Sequence, residues 1–207
     1  MANETIYKKE LKGKILKASM TQFFKHGIKK IKMDDIAREL GISKRTLYEI
    51  YQDKEQLLYE GLQKTEEHID TYLVKYAKDG HRNAVEILME SYYIQVDAFS
   101  QITPQFFIDI LKYKKVMEML TTRRKEREKT SMDFFQWGIE EGYFRPETVF
   151  SVVSMIGQNT MAFIIKSGMY NNVPFQTIFE NSFLILIRGL CTEKGIHIVD
   201  ERSAKRH

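Results

Sequence analysis

A chain of 207 residues that is 43% hydrophobic and 12% aromatic can bury a sizeable core, which excludes a disordered segment and a mini-protein dependent on staples. Apolar runs such as Phe183–Ile187 are about a quarter of the ~20 residues that a bilayer-spanning helix needs. The formal charge of +4 is uneven: residues 1–54 hold 13 Lys/Arg against 7 Asp/Glu, a net +6, and the rest a net −2.

A basic excess confined to one end attracts phosphate backbones or anionic membrane surfaces, or is merely a solvated lysine-rich face. The first residues lack the apolar stretch of a secretory signal, and the single Cys191 cannot close an internal disulfide. A soluble protein of the cytoplasm is expected.

Three prolines, eleven glycines and no period-two alternation of Val, Ile and Thr predict an all-α fold of about nine helices. The first helix, roughly Lys9 to His26, puts Leu11, Ile15, Ser19 and Phe23 on one stripe beside Leu16 and Met20, and stops at Gly27 behind basic residues that suit its dipole. A short second helix, about Met33 to Leu40, opens on Asp34 and Asp35, turns Ile36, Ala37 and Leu40 inward and ends at Gly41. Ser43 then caps a third helix to about Tyr51. Asp53 can cap a fourth, whose buried side carries Leu57, Leu58, Leu62, Ile69 and Leu73 to about Ala77.

After the break at Asp79-Gly80, the spacing predicts helices over about Arg82–Ser100, Thr103-Pro104 to Leu111, and Val116–Glu141, the second started by a cap followed by proline. In the third, the mixed signs of residues 123–129 read as a solvated face. Pro146 and Pro174 are expected to open the last two helices, to about Met169 and Lys194, with a loose polar tail to His207.

Gly41-Ile42 joins the second and third helices by a link too short for anything but a steep crossing, the geometry of a helix-turn-helix. On a helical period Leu47 and Tyr51 pack inward against Ile36, Ala37 and Leu40, which forces Lys44, Arg45, Tyr48 and Glu49 outward. Lys and Arg donate to phosphates and to guanine O6 and N7. Tyr48 can donate to a phosphate or pack on a thymine methyl, and Glu49 can accept from a cytosine amino group. A helix so equipped suits a major groove.

Ile36-Ala37, Gly41-Ile42-Ser43, Leu47-Tyr48, Tyr51 and Lys54-Glu55-Gln56-Leu57, with Ala18, Phe24 and Gly27 upstream, resemble the N-terminal domain of TetR/AcrR-family transcriptional regulators. The resemblance is specific over about Leu11 to Leu62 and weaker beyond, where Glu141-Gly-Tyr-Phe-Arg-Pro146 and Arg188-Gly-Leu190 look like the family's variable ligand-binding domain. It implies a DNA-binding domain over 1–54 and a ligand-binding and dimerisation domain over 55–207. It also implies that Lys44, Arg45, Thr46 and Tyr48 meet DNA and that Lys54 meets a phosphate. Arg45 departs from the family's frequent glycine, adding either a bidentate guanine contact or a phosphate contact. Ile50 replaces an aromatic or histidine that can touch the backbone. Lys32 stands where a threonine usually caps the second helix, so that cap is expected to be missing, with Asp34 and Asp35 acting through the helix dipole alone.

His26, His68 and His81 share no metal-like spacing with each other or with Cys191, and no phosphate loop, nucleophile elbow or paired-carboxylate motif occurs. No enzyme, metal or cofactor is expected. Met117, Met119, Met132, Phe134, Phe135, Trp137, Met155, Met161 and Phe163 read first as core. Flexible methionines and aromatics with inward polar groups also line apolar pockets, so Met117, Phe134, Trp137, Gln158, Asn159 and Met161 are candidate ligand-binding residues. The apolar surplus of the last two expected helices implies either a central place in the monomer or burial against a second subunit, and the family resemblance implies the second subunit.

These readings converge on a homodimeric one-component regulator, a repressor, that binds a pseudo-palindromic operator and is released by a small apolar or amphipathic ligand. The alternatives are a ligand-independent architectural or division-associated DNA-binding protein of the same fold, and a helical carrier whose basic end contacts anionic lipid.

Overall fold

The computed structural model describes residues 2–206, with side chains from Tyr7 onward. The described residues form ten α-helices: α1 (Ala2–His26), α2 (Met33–Glu39), α3 (Lys44–Ile50), α4 (Lys54–Lys78), α5 (Ala84–Ser100), α6 (Pro104–Ile110), α7 (Lys114–Glu140), α8 (Phe150–Ser167), α9 (Phe175–Leu190) and α10 (Glu193–Ala204). The chain divides into two compact units. One takes the chain up to His68 together with Gln101–Thr121; the other takes Ile69–Ser100 and the chain from Thr122. The first unit therefore extends past the charge boundary at residue 54, and helices α4 and α7 each contribute to both.

The stripe read from α1 is the centre of the first core: Leu11, Ile15, Leu16, Ser19, Met20 and Phe23 are all buried, with Ile36, Ala37, Leu47, Tyr51, Leu57, Leu58 and Leu62 around them. Ser19 satisfies its buried hydroxyl by donating to the Ile15 carbonyl at 2.7 Å, the local bond that lets a small polar residue share an apolar stripe. On α4 burial stops at Leu62; Ile69 and Leu73, expected inward, are half-buried. Helix α6 docks on the end of α1, where the Thr103 amide and hydroxyl both donate to the Phe24 carbonyl, at 2.9 and 3.1 Å.

In the second unit Ala84, Val85, Met89, Tyr92, Val96, Phe144, Phe179, Ile187, Cys191 and Val199 form the core. Helix α5 starts with a reciprocal cap missed from sequence: Asn83 Oδ1 accepts the Glu86 amide at 3.0 Å and Glu86 Oε2 accepts the Asn83 amide at 3.1 Å.

Three expectations about the C-terminal third are corrected. Pro146 does not open a helix, because the preceding chain is pulled extended: Phe144 forms an isolated antiparallel bridge with Cys191, and the Arg145 amide donates to the Leu190 carbonyl at 2.9 Å. The same bridge ends α9 at Leu190 rather than Lys194. The tail is not loose. Thr192 caps α10, which buries Val199 and sends Arg202 to the Tyr76 hydroxyl at 2.8 Å and to Glu90 at 2.9 Å, while Arg206 pairs with Asp97. Helices α8 and α9, expected to be the last two, are thus followed by a third.

Candidate nucleic-acid interface

The link between α2 and α3 is set by one residue. Gly41 has φ +64°, a left-handed conformation that costs glycine nothing, and the Ile42 amide returns to the Ala37 carbonyl at 3.0 Å while the Gly41 amide reaches the Arg38 carbonyl at 3.2 Å. That paired closure, a Schellman motif, stops α2 within one residue. Ser43 then starts α3 at once, its hydroxyl accepting the Thr46 amide at 3.0 Å. Two buried residues from α2, Ile36 and Ala37, and two from the following segment, Leu47 and Tyr51, join one core. The rotation of α3 follows from burying Leu47 and Tyr51.

Lys44, Arg45, Tyr48 and Glu49 accordingly lie outside, as their spacing requires. The Arg45 side chain is 89% exposed and pairs with Glu49, Nε to Oε1, at 2.8 Å; Lys44 pairs with Asp34 on α2. Thr46 is half-buried, and its hydroxyl shares a 2.8 Å hydrogen bond with that of Ser43. Tyr48 is exposed, and Ile50 is partly buried against the core. The result is a helix face with donors, one acceptor and one aromatic, each charge held by a partner that a stronger anionic ligand can displace.

Lys54 differs from the rest. It is half-buried and its ammonium donates to the Ile28 carbonyl at 2.9 Å; burial lowers its pKa, against the attraction of Asp109 and Asp35, which raises it. It braces the turn between α1 and α2, a role that sequence spacing could not show, because 26 residues separate the partners. The same turn is held by Asp109 on α6, which is 1% exposed and accepts the Lys29 amide at 2.7 Å and the Gln105 side-chain amide at 2.8 Å. At the start of α2, Asp35 does more than complement the dipole: its Oδ2 accepts the Lys32 amide at 3.0 Å. This is half of a capping box, since an ammonium at position 32 has no acceptor for the other half.

The candidate ligand-binding residues are divided. Met117 packs against the core of the first unit. Phe134, Trp137 and Met161 pack against the core of the second, with the two rings 5.9 Å apart. Gln158 is half-buried and bonds Ser154 at 2.9 Å; Asn159 is exposed on α8, its amide donating to the Met155 carbonyl at 2.8 Å. No helix among the described residues is long and apolar enough to cross a membrane.

Comparison with known proteins agrees with this geometry. The profile described as "Bacterial regulatory proteins, tetR family" matches residues 15–60, which span α1 from Ile15 through the first turns of α4. Similar proteins include the HTH-type transcriptional repressor KstR2 of Mycobacterium tuberculosis, 27% identical over 192 residues, covering 89% of this chain and 94% of the relative. KstR2 of Mycolicibacterium smegmatis is 27% identical over 143 residues, 66% of this chain and 68% of the relative. Among solved structures, a putative transcriptional regulator from Saccharomonospora viridis in complex with choline superposes with a TM-score of 0.71 at 14% identity, covering 89% of this chain and all of that one. The ketosteroid transcriptional regulator KstR2 of Mycobacterium tuberculosis gives 0.55 at 21% identity over 88% and 95%. With a helix-turn-helix built as described, residues 15–60 match the DNA-binding domain of the TetR family of transcriptional regulators, and most of the chain is similar to HTH-type transcriptional repressors.

Proposed function

We propose that the protein is a homodimeric repressor that reads a pseudo-palindromic operator through α3 and is released when a small apolar or amphipathic molecule binds the larger domain. The observation that carries the DNA reading is the capped, exposed face of α3, where Lys44, Arg45, Thr46, Tyr48 and Glu49 meet DNA and Lys54 offers its remaining protons to a phosphate. Residues 1–54 are the DNA-binding part and 55–207 the ligand-binding and dimerisation part. The protein works in the cytoplasm, where its operator is.

The dimer rests on a stripe of exposed apolar side chains along α8. Val152, Ile156 and Phe163 recur at helical spacing with Met155 beside them, and Ile185 on α9 is 68% exposed. Exposed apolar side chains recurring along one helix in this way mark a face that is covered in the working state. Two copies related by a two-fold axis present two recognition helices to inverted half-sites about 34 Å apart or somewhat more.

Selection of bound duplexes from a random pool by the full chain tests the reading. Enrichment of an inverted repeat is expected, and enrichment of no sequence overturns it. Release is tested by a thermal-shift panel that includes ketosteroids and choline, the molecules named with two similar proteins. A hit is expected to raise the melting temperature and weaken binding to the selected duplex; a stabilising ligand that leaves DNA affinity unchanged overturns release.

A further inference from the structure

The turn between α1 and α2 carries three lysines outside the residues assigned above. In Ile28-Lys-Lys-Ile-Lys32 the two isoleucines are buried and Lys29, Lys30 and Lys32 are exposed. Their backbone is fixed from three sides. Gly27, at φ +81°, closes α1 with its amide on the Phe23 carbonyl at 2.9 Å. Lys54 holds the Ile28 carbonyl, and the buried carboxylate of Asp109 holds the Lys29 amide. A loop pinned by two buried isoleucines and two charged groups loses only side-chain freedom when its lysines engage a ligand, so the ordering cost is small.

The three ammonium groups are also uncommitted. The nearest carboxylates in sequence are spent: Asp34 pairs with Lys44, and Asp35 takes the Lys32 amide and Arg38 at 3.6 Å. Among the described residues no carboxylate pairs with Lys29, Lys30 or Lys32. The basic run on α7 behaves in the opposite way, with Arg123 and Arg127 turned to Asp70 at 3.8 and 2.8 Å. The position completes the case. Lys32 is the cap of α2, and Asp34 two residues on is bonded to Lys44 in the first turn of α3, so the turn flanks the end of the helix that reads the groove.

We propose that Lys29, Lys30 and Lys32 form a second DNA contact, a rigid cradle for the phosphates that border the groove occupied by α3. The proposal rests on α3 being the reading helix. Phosphate contacts of this kind set register and affinity and carry no sequence information.

The test is the full-length variant Lys29→Gln/Lys30→Gln/Lys32→Gln, checked for folding by circular dichroism and titrated against a random-sequence duplex over a range of salt. At ~0.9 per neutralised phosphate, the slope of log affinity against log salt should fall by about 2 to 3, while the sequence enriched from a random pool stays that of the wild type. A second variant, Lys75→Gln/Lys78→Gln/Lys166→Gln, removes the same charge from the other unit and should leave the slope alone. An unchanged slope in the turn variant, or an equal loss in both, overturns the cradle while enrichment by the wild type still upholds α3. If the wild type enriches no sequence, the reading of α3 falls and the cradle with it.

Discussion

Individual side chains of the first unit divide into those that face outward and those that hold the frame. Arg45 is of the first kind: 89% exposed, tied only to Glu49, and free to exchange that partner for a base edge. Arg45→Ala should change the sequence enriched from a random pool and cost about 1 to 3 kcal/mol on the preferred duplex; equal weakening on every duplex would reduce it to a phosphate contact. Lys54 is of the second kind as well as a candidate for phosphate. Its bond to the Ile28 carbonyl means that Lys54→Ala should lower folding stability by about 1 kcal/mol in urea titration, in addition to weakening DNA binding. Cys191 belongs wholly to the frame. Burial pushes its thiol from the ordinary 9.0 up to about 11, against Arg145 and Arg188, and burial pushes Tyr92 from 10.0 up to about 12. Between these values the unfolded chain gives up its protons first, so the stability these groups provide is whole below about pH 9 and drains away as pH climbs through about 11 to 12. Denaturation midpoints that fall across that window in the wild type, and fall less in Cys191→Ala, are the expected record.

At the scale of elements, the short helices are controlled by their ends. Gly27 shows how narrowly. A Cβ there would lie 2.6 Å from Gln105 Cγ and 3.0 Å from Asp109 Oδ2, on a backbone at φ +81°. Gly27→Ala should therefore cost about 1 to 2 kcal/mol of stability and loosen the braced turn, seen as faster amide exchange at Lys29. Helix α10 is controlled by its face. Val199 is fully buried in the second core, which also holds Cys191, so Val199→Ala should cost roughly 2 kcal/mol. It should also raise the reactivity of Cys191 toward thiol reagents, whereas a tail that merely lay on the surface would leave both unchanged.

For the whole molecule, the proposed reading of an inverted repeat requires assembly, because a two-fold site needs two copies of α3. Phe163, 62% exposed on α8, is the sharp probe of the proposed seam. Phe163→Arg should give a folded monomer by analytical ultracentrifugation, with loss of the steep affinity for an inverted repeat and residual weak binding to random DNA. A folded variant that stays dimeric would move the interface off α8.

The all-α class, the helix-turn-helix and the outward set of α3 were legible in the chain alone, because they rest on short-range rules: the period of buried residues, a glycine that turns left-handed at position 41, a serine that caps at position 43. The stripe of α1 was legible as well, since every member of that stripe meets the same core. Tertiary structure decided what depends on distant partners. Lys54 reaches Ile28 and Asp109 reaches Lys29 across 26 and 80 residues, and a side chain that reads locally as a free charge became a brace. Residues 143–145 and 191–192 straightened one another, so a proline that reads as a helix start became part of a turn and a polar tail became a docked helix. Local pattern sets which face of a helix is apolar; which surface covers that face, and which buried charge holds a loop, is settled only when the chain is brought together.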